Sequence, residues 1–544
     1  MKKQLTVLLI VLLSAVTSSY VFSQKKLPGK ITASALESHV TFLASPLLKG
    51  RMNGEEGLEI AAGYLATQAG LLGLKPANGD IYYQPFTVIR KLADQSRSGI
   101  TIFSSGDSVA FSDPFQHIIP QGPADIDVEG EVVFAGYGIR SEKYGYNDLE
   151  NLDIKGKVVL VMDRAPLGKD GKPVFDEPGW NGAMSLQMKL GPLLSPGPKA
   201  ILFVPDPKSG YRSYGESTPG LTAYLSTQMN LKGEKSDLSA MMSLLPKVIF
   251  INRSVADEIL KGSGKTLAEL QAGIDETFKP KSFPVEGKKI RITERVIIEE
   301  KVLNNVAAYI EGSHPVLKDE VVIFSAHYDH IGAIGNKVNT GADDDASGCA
   351  SLLAIADEFM SLKKKPLRSI LFLWVAGEEI GLYGSQSYIS NPLFPIGKTV
   401  ADLNMDMIGR AKEPADSTSE TPMTGPEEVY VITDGQSSDL RAIADVADSK
   451  SRLDFDYSLS GRDHPLQLFA RSDHFNFVKK DIPVLFFTTG IHTDYHTPGD
   501  IVEKINFEKM ELVTRTMYEI GHTVANRKTR INVDNPFSTW GKDK

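Results

Sequence analysis

Histidine and carboxylate side chains recur in five short segments between residues 325 and 500. These segments are His327-Tyr328-Asp329-His330, Gly341-Ala342-Asp343-Asp344-Asp345-Ala346-Ser347-Gly348, Gly377-Glu378-Glu379, Asn404-Met405-Asp406-Met407 and Tyr495-His496-Thr497-Pro498-Gly499-Asp500. Imidazole and carboxylate groups without thiolates form a ligand set that suits zinc or a similar divalent cation. One such segment alone is typical of a helix cap or a solvated loop. Five of them in one stretch predict a metal site.

The elements that must position these segments alternate between strand and helix. Continuous apolar runs predict strands at Val321–Ala326, Ile370–Ala376, Ala401–Met407 and Ile482–Phe487. Amphipathic patterns predict helices at Ser347–Leu362 and Leu440–Ala447. This alternation indicates an α/β fold, with a mostly parallel or mixed sheet covered by helices on both faces. Because loops beyond the carboxyl ends of such strands converge on one crevice, we expect the five segments to meet there.

The first half of the chain has a different pattern of apolar and polar residues. Residues 33–75 read as helical, with a Gly-containing break at 49–54. From about Asp127 the pattern changes to short apolar runs, with a Pro-, Gly- and Ser-rich stretch at 191–221 that is typical of a loop. Helical periodicity returns at Val255–Ile274. This middle section is therefore predicted to be a separate, β-rich inserted domain.

Composition and absent motifs exclude several classes of protein. The chain has 544 residues and a formal charge of 59 − 68 = −9, the wrong sign for coating nucleic acid. Its single cysteine, Cys349, cannot form an intramolecular disulfide, and we interpret it as a buried small residue. The sequence contains no His-Glu-x-x-His and no Gly-x-Ser-x-Gly. Gly262–Thr266 resembles a phosphate loop, but Ile259 stands where its first glycine belongs.

The N-terminus has the pattern of an export signal. Lys2 and Lys3 precede the apolar run Leu5–Val16, and small residues follow before a predicted cleavage site at Gln24. The apolar run is shorter than the ~20 residues that span a bilayer. We predict that residues 1–23 are a signal peptide and that the mature protein is exported, periplasmic or secreted, without stable membrane insertion. An uncleaved N-terminal anchor is the alternative.

The five segments together resemble the M28 zinc peptidases, the bacterial aminopeptidase relatives of glutamate carboxypeptidase II. Residues 36–86 are similar to the N-terminal helices of that family, and 290–525 are similar to its zinc domain. The section between them resembles the protease-associated domain often inserted there. The resemblance implies a domain division of 24–110 for the N-terminal part of the peptidase domain, 111–285 for the protease-associated insert and 286–544 for the catalytic domain.

The resemblance also implies two zinc ions per chain. His327, Asp344 and Asp406 would hold one ion, and Glu379, His496 and the same Asp344 would hold the other. Asp344 is preferred to its neighbours because the bridging aspartate of the family lies three residues before the serine, here Ser347.

Further roles follow from the same resemblance. Asp329 would orient His327 by accepting its other ring N–H, and Glu378 would be the general base. Tyr495 would donate to the oxyanion. We interpret the nearby residues His330, His492, Asp473 and His474 as supporting rather than metal-binding.

The function implied is hydrolysis of N-terminal residues from peptides. Two alternatives stay open. The same metal site could serve a carboxypeptidase, a dipeptidase or a glutaminyl cyclase, although cyclases of this family use one zinc ion. The chain could also be a non-catalytic peptide-binding module. Carboxypeptidase activity would require a cation for a substrate carboxylate, for which Arg410, Arg462 and Arg471 are candidates. The oligomeric state is left open.

Overall fold

A computed structural model describes residues 29–94, 96–112, 117–118, 125–168, 172, 174–175, 184–214, 227–233, 246–334, 336–412, 422–433 and 435–539. The predicted signal peptide at residues 1–23 lies outside these ranges. Among the described residues, none of the helices combines the length and the apolar character that crossing a membrane requires.

The described helices and strands alternate along most of the chain. The helices are α1 Ala33–Leu43, α2 Glu56–Leu71, α3 Met184–Leu194, α4 Arg253–Leu260, α5 Leu267–Thr277, α6 Ala346–Met360, α7 Tyr383–Ser390, α8 Ser438–Lys450, α9 His474–Val478 and α10 Phe507–Asn526. The strands are β1 Lys75–Pro76, β2 Tyr83–Ala93, β3 Gly99–Ser104, β4 Asp107–Phe111, β5 His117–Ile118, β6 Ile126–Phe134, β7 Arg140–Ser141, β8 Tyr146–Asn147, β9 Val158–Met162, β10 Ala200–Val204, β11 Thr227–Leu231, β12 Lys247–Ile251, β13 Phe283–Glu294, β14 Val296–Ile310, β15 Val321–His327, β16 Ala333–Ile334, β17 Lys337–Val338, β18 Ser369–Val375, β19 Thr399–Met405, β20 Glu428–Ile432, β21 Asp454–Asp456 and β22 Val484–Thr488.

The larger sheet has the order β11-β2-β14-β18-β15-β19-β22-β20-β21, and β1 pairs with β14. Its centre, β18-β15-β19-β22, is parallel, and its flanks include antiparallel pairs. Alternate residues of β15 pack into two different cores: Val322 and Phe324 face α1, α2, α6 and α10, while Val321 and Ile323 face α7 and α9. The predicted mixed α/β sheet with helices on both faces is confirmed.

A second sheet has the order β4-β3-β13-β6-β9-β10-β12-β5. Its central strands, β6, β9, β10 and β12, are parallel, and α4 and α5 pack on one of its faces while α3 packs on the other. This unit therefore contains more helix than the prediction of a β-rich module implied. Its strands run from Gly99 to Glu294, beyond the predicted limits 111 and 285. Its assignment as a protease-associated domain stays a prediction.

One strand from this middle section belongs to the other sheet. β11 pairs antiparallel with β2, with Met229 opposite Arg90, and forms one edge of the larger sheet. β2 in turn pairs along its whole length with β14, from Tyr83 opposite Val306 to Ala93 opposite Val296. The chain therefore leaves the larger sheet after β2, returns to it once at β11, and rejoins it at β14.

Candidate metal centre

The predicted ligand segments meet at the carboxyl ends of the parallel strands. His327 is the last residue of β15, Glu378 and Glu379 follow β18, Asp406 follows β19, and His496 lies in the loop after β22. Asp344 lies in the loop that precedes α6, which is capped when the Asp345 side chain accepts from the Gly348 N–H. The alternation of apolar strand and helix in the sequence is therefore sufficient to bring these segments to one edge of the sheet.

Asp344 stands between two groups of ligand atoms. Its Oδ1 lies 3.2 Å from His327 Nε2, which is itself 3.4 Å from Asp406 Oδ1. Its Oδ2 lies 3.2 Å from His496 Nε2, which is 3.0 Å from Glu379 Oε2. A tetrahedral zinc ion with bonds of about 2.0–2.1 Å holds neighbouring ligand atoms about 3.3 Å apart. Both groups match that spacing, and each uses a different oxygen of Asp344.

The charges in this buried cluster also fit a cation. Asp344 and His327 are buried, and neither Asp344 Oδ2 nor His496 Nε2 has a hydrogen-bond partner among the described residues. Burial lowers the pKa of His327, but Asp406 and Glu378 oppose it and raise that pKa well above its ordinary value. Burial raises the pKa of Asp344, yet the histidines around it hold that pKa well below its ordinary value. Carboxylates gathered this closely in an apolar interior require positive charge beside them.

Two further side chains lie within reach of the predicted ligands. In the described part of the chain, donor atoms of His330, Asp344, Glu379 and His496 lie within 4.8 Å of one another, as do those of His327, Asp345 and Asp406. The oxygens of Asp345, however, accept from the backbone N–H groups of His327, Gly348 and Met407. His330 Nδ1 lies 2.8 Å from Glu379 Oε1, the oxygen that does not face His496. We interpret Asp345 and His330 as residues that hold ligands in place.

Asp329 makes contacts in addition to the predicted one with the His327 ring. Its carboxylate accepts from the backbone N–H groups of Glu378 and Glu379, both at 3.2 Å, and from Asn53 Nδ2 at 2.7 Å. His327 Nδ1 lies closer to the Asp329 backbone carbonyl, at 3.2 Å, than to its carboxylate, at 3.7 Å. Both the backbone carbonyl and the carboxylate of Asp329 therefore lie beside the histidine ring, and the carboxylate also holds the loop that carries the two glutamates.

A cavity opens onto this cluster, and Glu378 and Tyr495 line it. Burial raises the pKa of Glu378 well above its ordinary value; His327 opposes this, and the neighbouring carboxylates Glu379 and Asp406 add to it. The Tyr495 ring stacks on His496 with 3.8 Å between the ring centres. Tyr495 therefore lines the same cavity as the predicted general base.

The remaining candidates lie around the cluster. His492 is buried, with Nε2 3.4 Å from Asp343 Oδ2. His474 contacts the Phe469 carbonyl through Nε2, and Asp473 accepts from Ser385 Oγ. Cys349 is buried, and its thiol contacts the carbonyl of His327. These positions agree with supporting roles.

Arg51 lies beside the site and was not singled out by the motif analysis, although it falls within residues 36–86, which the resemblance includes. Its side chain is buried and has no carboxylate partner among the described residues. Its guanidinium instead donates to the backbone carbonyls of Leu43, Tyr328, Thr340, Gly341 and Asp344. Arg51 therefore ties the loop after β15 to the loop before α6, which carries Asp344.

We expect Arg51→Met to lower the free energy of unfolding by about 3 kcal/mol or more, because buried carbonyls lose their donor. Zinc affinity should fall as well, since two ligand loops lose their common anchor. Denaturant unfolding and zinc titration measure the two effects. Arg97→Met is the matched control, because that arginine is exposed and its ion-pair partner among the described residues is Asp94. Equal midpoints for the two variants would contradict this role.

Comparison with known proteins finds a family match in the second half of the chain. Residues 305–521 match the sequence profile of Peptidase family M28. These residues are similar to a family M28 peptidase domain. They include all of the clustered ligand segments, and the chain is an enzyme of the metallo-exopeptidase class.

Several relatives and solved structures are similar to the chain. The probable leucine aminopeptidase of Arthroderma otae is 26% identical over 317 residues, which cover 56% of this chain and 78% of that protein. Leucine aminopeptidase 1 of Sclerotinia sclerotiorum is 31% identical, over 38% of this chain and about half, 52%, of its own length. The structure of BSAP, a zinc aminopeptidase from Bacillus subtilis, shares the fold with a TM-score of 0.53 and 20% identity, covering 94% of this chain and 100% of that one.

Proposed function

We propose that this protein is an exported aminopeptidase of family M28 that acts on peptides and uses two zinc ions. The observation that carries the proposal is the position of Asp344, whose two oxygens face two separate groups of ligand atoms. Relatives named as leucine aminopeptidases and a similar structure named as a zinc aminopeptidase support the activity and the metal. The basic and apolar pattern of residues 1–23 supports export.

The roles of the residues follow from their positions. His327 and Asp406 would hold one ion, Glu379 and His496 the other, and Asp344 both. When bound, the pair of zinc ions would supply Lewis acidity for water and for the scissile carbonyl. Glu378 accepts the proton of the attacking water and delivers it to the leaving amine, for which its raised pKa suits it. The Tyr495 phenol donates a hydrogen bond to the oxygen that becomes negative.

The experiment that tests this function compares free and blocked substrates. We expect the mature protein to hydrolyse aminoacyl p-nitroanilides and to leave their N-acetylated forms intact. A chelator should abolish hydrolysis, and added zinc should restore it, because the clustered carboxylates and histidines of the site need the cation. Release of p-nitroaniline measures both effects. Cleavage of the blocked substrates would contradict an aminopeptidase, and activity that survives complete removal of metal would contradict a metallopeptidase.

A further inference from the structure

Arg471 lies in the wall of the cavity that opens onto the candidate metal centre. It follows the short turn Leu468–Ala470, and its backbone N–H donates to the carbonyl of Leu468 at 3.1 Å. The residue is exposed. In the part of the chain that the structure describes, no carboxylate lies within ion-pair distance of its guanidinium. Its charge is therefore available to a molecule in the cavity.

The other two candidate arginines are engaged elsewhere. Arg410 Nη2 lies 3.1 Å from Asp494 Oδ2. The Arg462 guanidinium lies 4.9 Å from the centre of the Phe537 ring and donates to the carbonyl of Asn535. Neither residue lines the cavity at the metal centre. Of the three arginines that the sequence offered, the structure brings only Arg471 to the cavity at the metal centre.

The rest of the cavity wall defines what Arg471 can recognise. Apolar side chains lie beside it, contributed by Met407, Leu468, Phe486 and Ile491. The acidic groups of the wall, Asp344, Glu378 and Asp406, are those to which we assign zinc and the catalytic proton. Once zinc offsets their charge, Arg471 is the fixed cation left in the described wall. A guanidinium bordered by apolar groups binds a carboxylate strongly, because two parallel N–H groups match its two oxygens.

We propose that Arg471 binds a carboxylate of the substrate close to the scissile amide, so that peptides with an acid group there are preferred. The inference rests on the proposed peptidase function and adds a substrate class to it. Two sources share this chemistry: the side chain of an acidic N-terminal residue, and the free α-carboxylate of a dipeptide. The reaction is otherwise unchanged, with water adding to the carbonyl carbon and the amide C–N bond breaking.

The test uses the zinc-loaded full chain and two pairs of substrates that differ in one charge. Glutamyl and glutaminyl p-nitroanilide differ at the N-terminal side chain, while Leu-Gly and Leu-Gly amide differ at the α-carboxylate. We expect kcat/KM of the wild type to be at least about tenfold higher for the acidic member of one pair. Arg471→Gln should lower that value by about 10–100-fold and change the value for the neutral member by less than about twofold. The pair that responds identifies the source of the carboxylate.

Two further variants complete the design. Arg471→Lys keeps the charge without the planar fork, so it should retain part of the preference. Arg462→Gln removes an arginine outside the cavity and should leave every value unchanged. Equal kcat/KM for both members of both pairs in the wild type would overturn the proposal. An equal loss on acidic and neutral substrates in Arg471→Gln would do the same, because it would show that the side chain only shapes the cavity.

A binding experiment separates this inference from the proposed function. Calorimetric titration of zinc-loaded Glu378→Gln with Leu-Gly, Leu-Gly amide, glutamic acid amide and glutamine amide needs no turnover. Tighter binding of one acidic ligand, lost in Glu378→Gln/Arg471→Gln, supports the carboxylate site even if the wild type hydrolyses none of the substrates. Hydrolysis of neutral aminoacyl substrates without any preference for acid groups would instead support the peptidase and overturn the role of Arg471.

Discussion

Glu378→Gln should lower kcat by about 10²–10⁴-fold and leave two zinc ions bound. The amide has the shape of the carboxylate but cannot accept the proton of the attacking water. Glu378 is the carboxylate in the cavity wall that we do not assign as a ligand, and its pKa is raised well above the ordinary value. Steady-state hydrolysis of an aminoacyl p-nitroanilide gives kcat, and atomic absorption gives the zinc content.

Glu379→Gln is the matched control, since it makes the same change one residue along the chain. Glu379 contacts His496 and His330 rather than lining the cavity, so its variant should lose zinc as well as activity. The two variants should therefore separate proton transfer from metal binding. A Glu378→Gln enzyme with more than about a tenth of wild-type kcat would contradict the general-base assignment.

Asp344→Ala should lose activity and bind far less than one zinc ion per chain. Asp344 contributes an oxygen to each of the two ligand groups, so its removal leaves each with two of its three protein ligands. Asp406→Ala, by contrast, removes a ligand from the His327 group only, and we expect it to keep about one ion. Zinc content after dialysis at a fixed free zinc concentration measures the difference.

Asp343→Ala provides the comparison for that experiment. Asp343 is the preceding residue and is equally buried, but its oxygens contact the Gly409 N–H and His492 rather than either ligand group. Its variant should keep zinc to a greater extent than Asp344→Ala. If Asp344→Ala and Asp406→Ala released the same amount of zinc, Asp344 would not bridge two sites.

Much of the peptidase fold follows from periodicity. The central strands β15, β18, β19 and β22 were each predicted within two residues of their observed ends, because buried parallel strands are apolar at every position. Which strands pair with one another is harder to predict from the sequence. β11 is short and polar, Thr-Gln-Met-Asn-Leu, and nothing local indicates that it pairs with β2 more than a hundred residues earlier in the chain. Such a pairing depends on tertiary contacts that a local pattern does not contain.

For the candidate site, too, the sequence predicted some features and not others. Residue type and position at strand ends were enough to predict that five residues lie close together. The structure brings these residues together: His327, Asp344, Glu379, Asp406 and His496. The partners of each side chain could not be read from the sequence. For Asp329, the sequence predicted a contact with a ring nitrogen of His327, but it did not indicate that the carboxylate also accepts from the backbone amides of Glu378 and Glu379. The five carbonyls around Arg51 come from three separate stretches of backbone, so only the folded chain shows why that arginine is there.

The route of the chain through the larger sheet has a consequence for biosynthesis. β2 is complete at Ala93, but its long partner β14 begins only at Val296. At a translation rate of about 5–20 residues per second, β2 leaves the ribosome roughly 10–40 s before β14 exists. During that interval, the intervening sheet can fold while β2 has an open hydrogen-bonding edge, and β11 is its first partner to emerge. The nascent chain is then exposed to wrong strand pairing at β2, so a holding chaperone would act on this segment before the remainder of the larger sheet is synthesised.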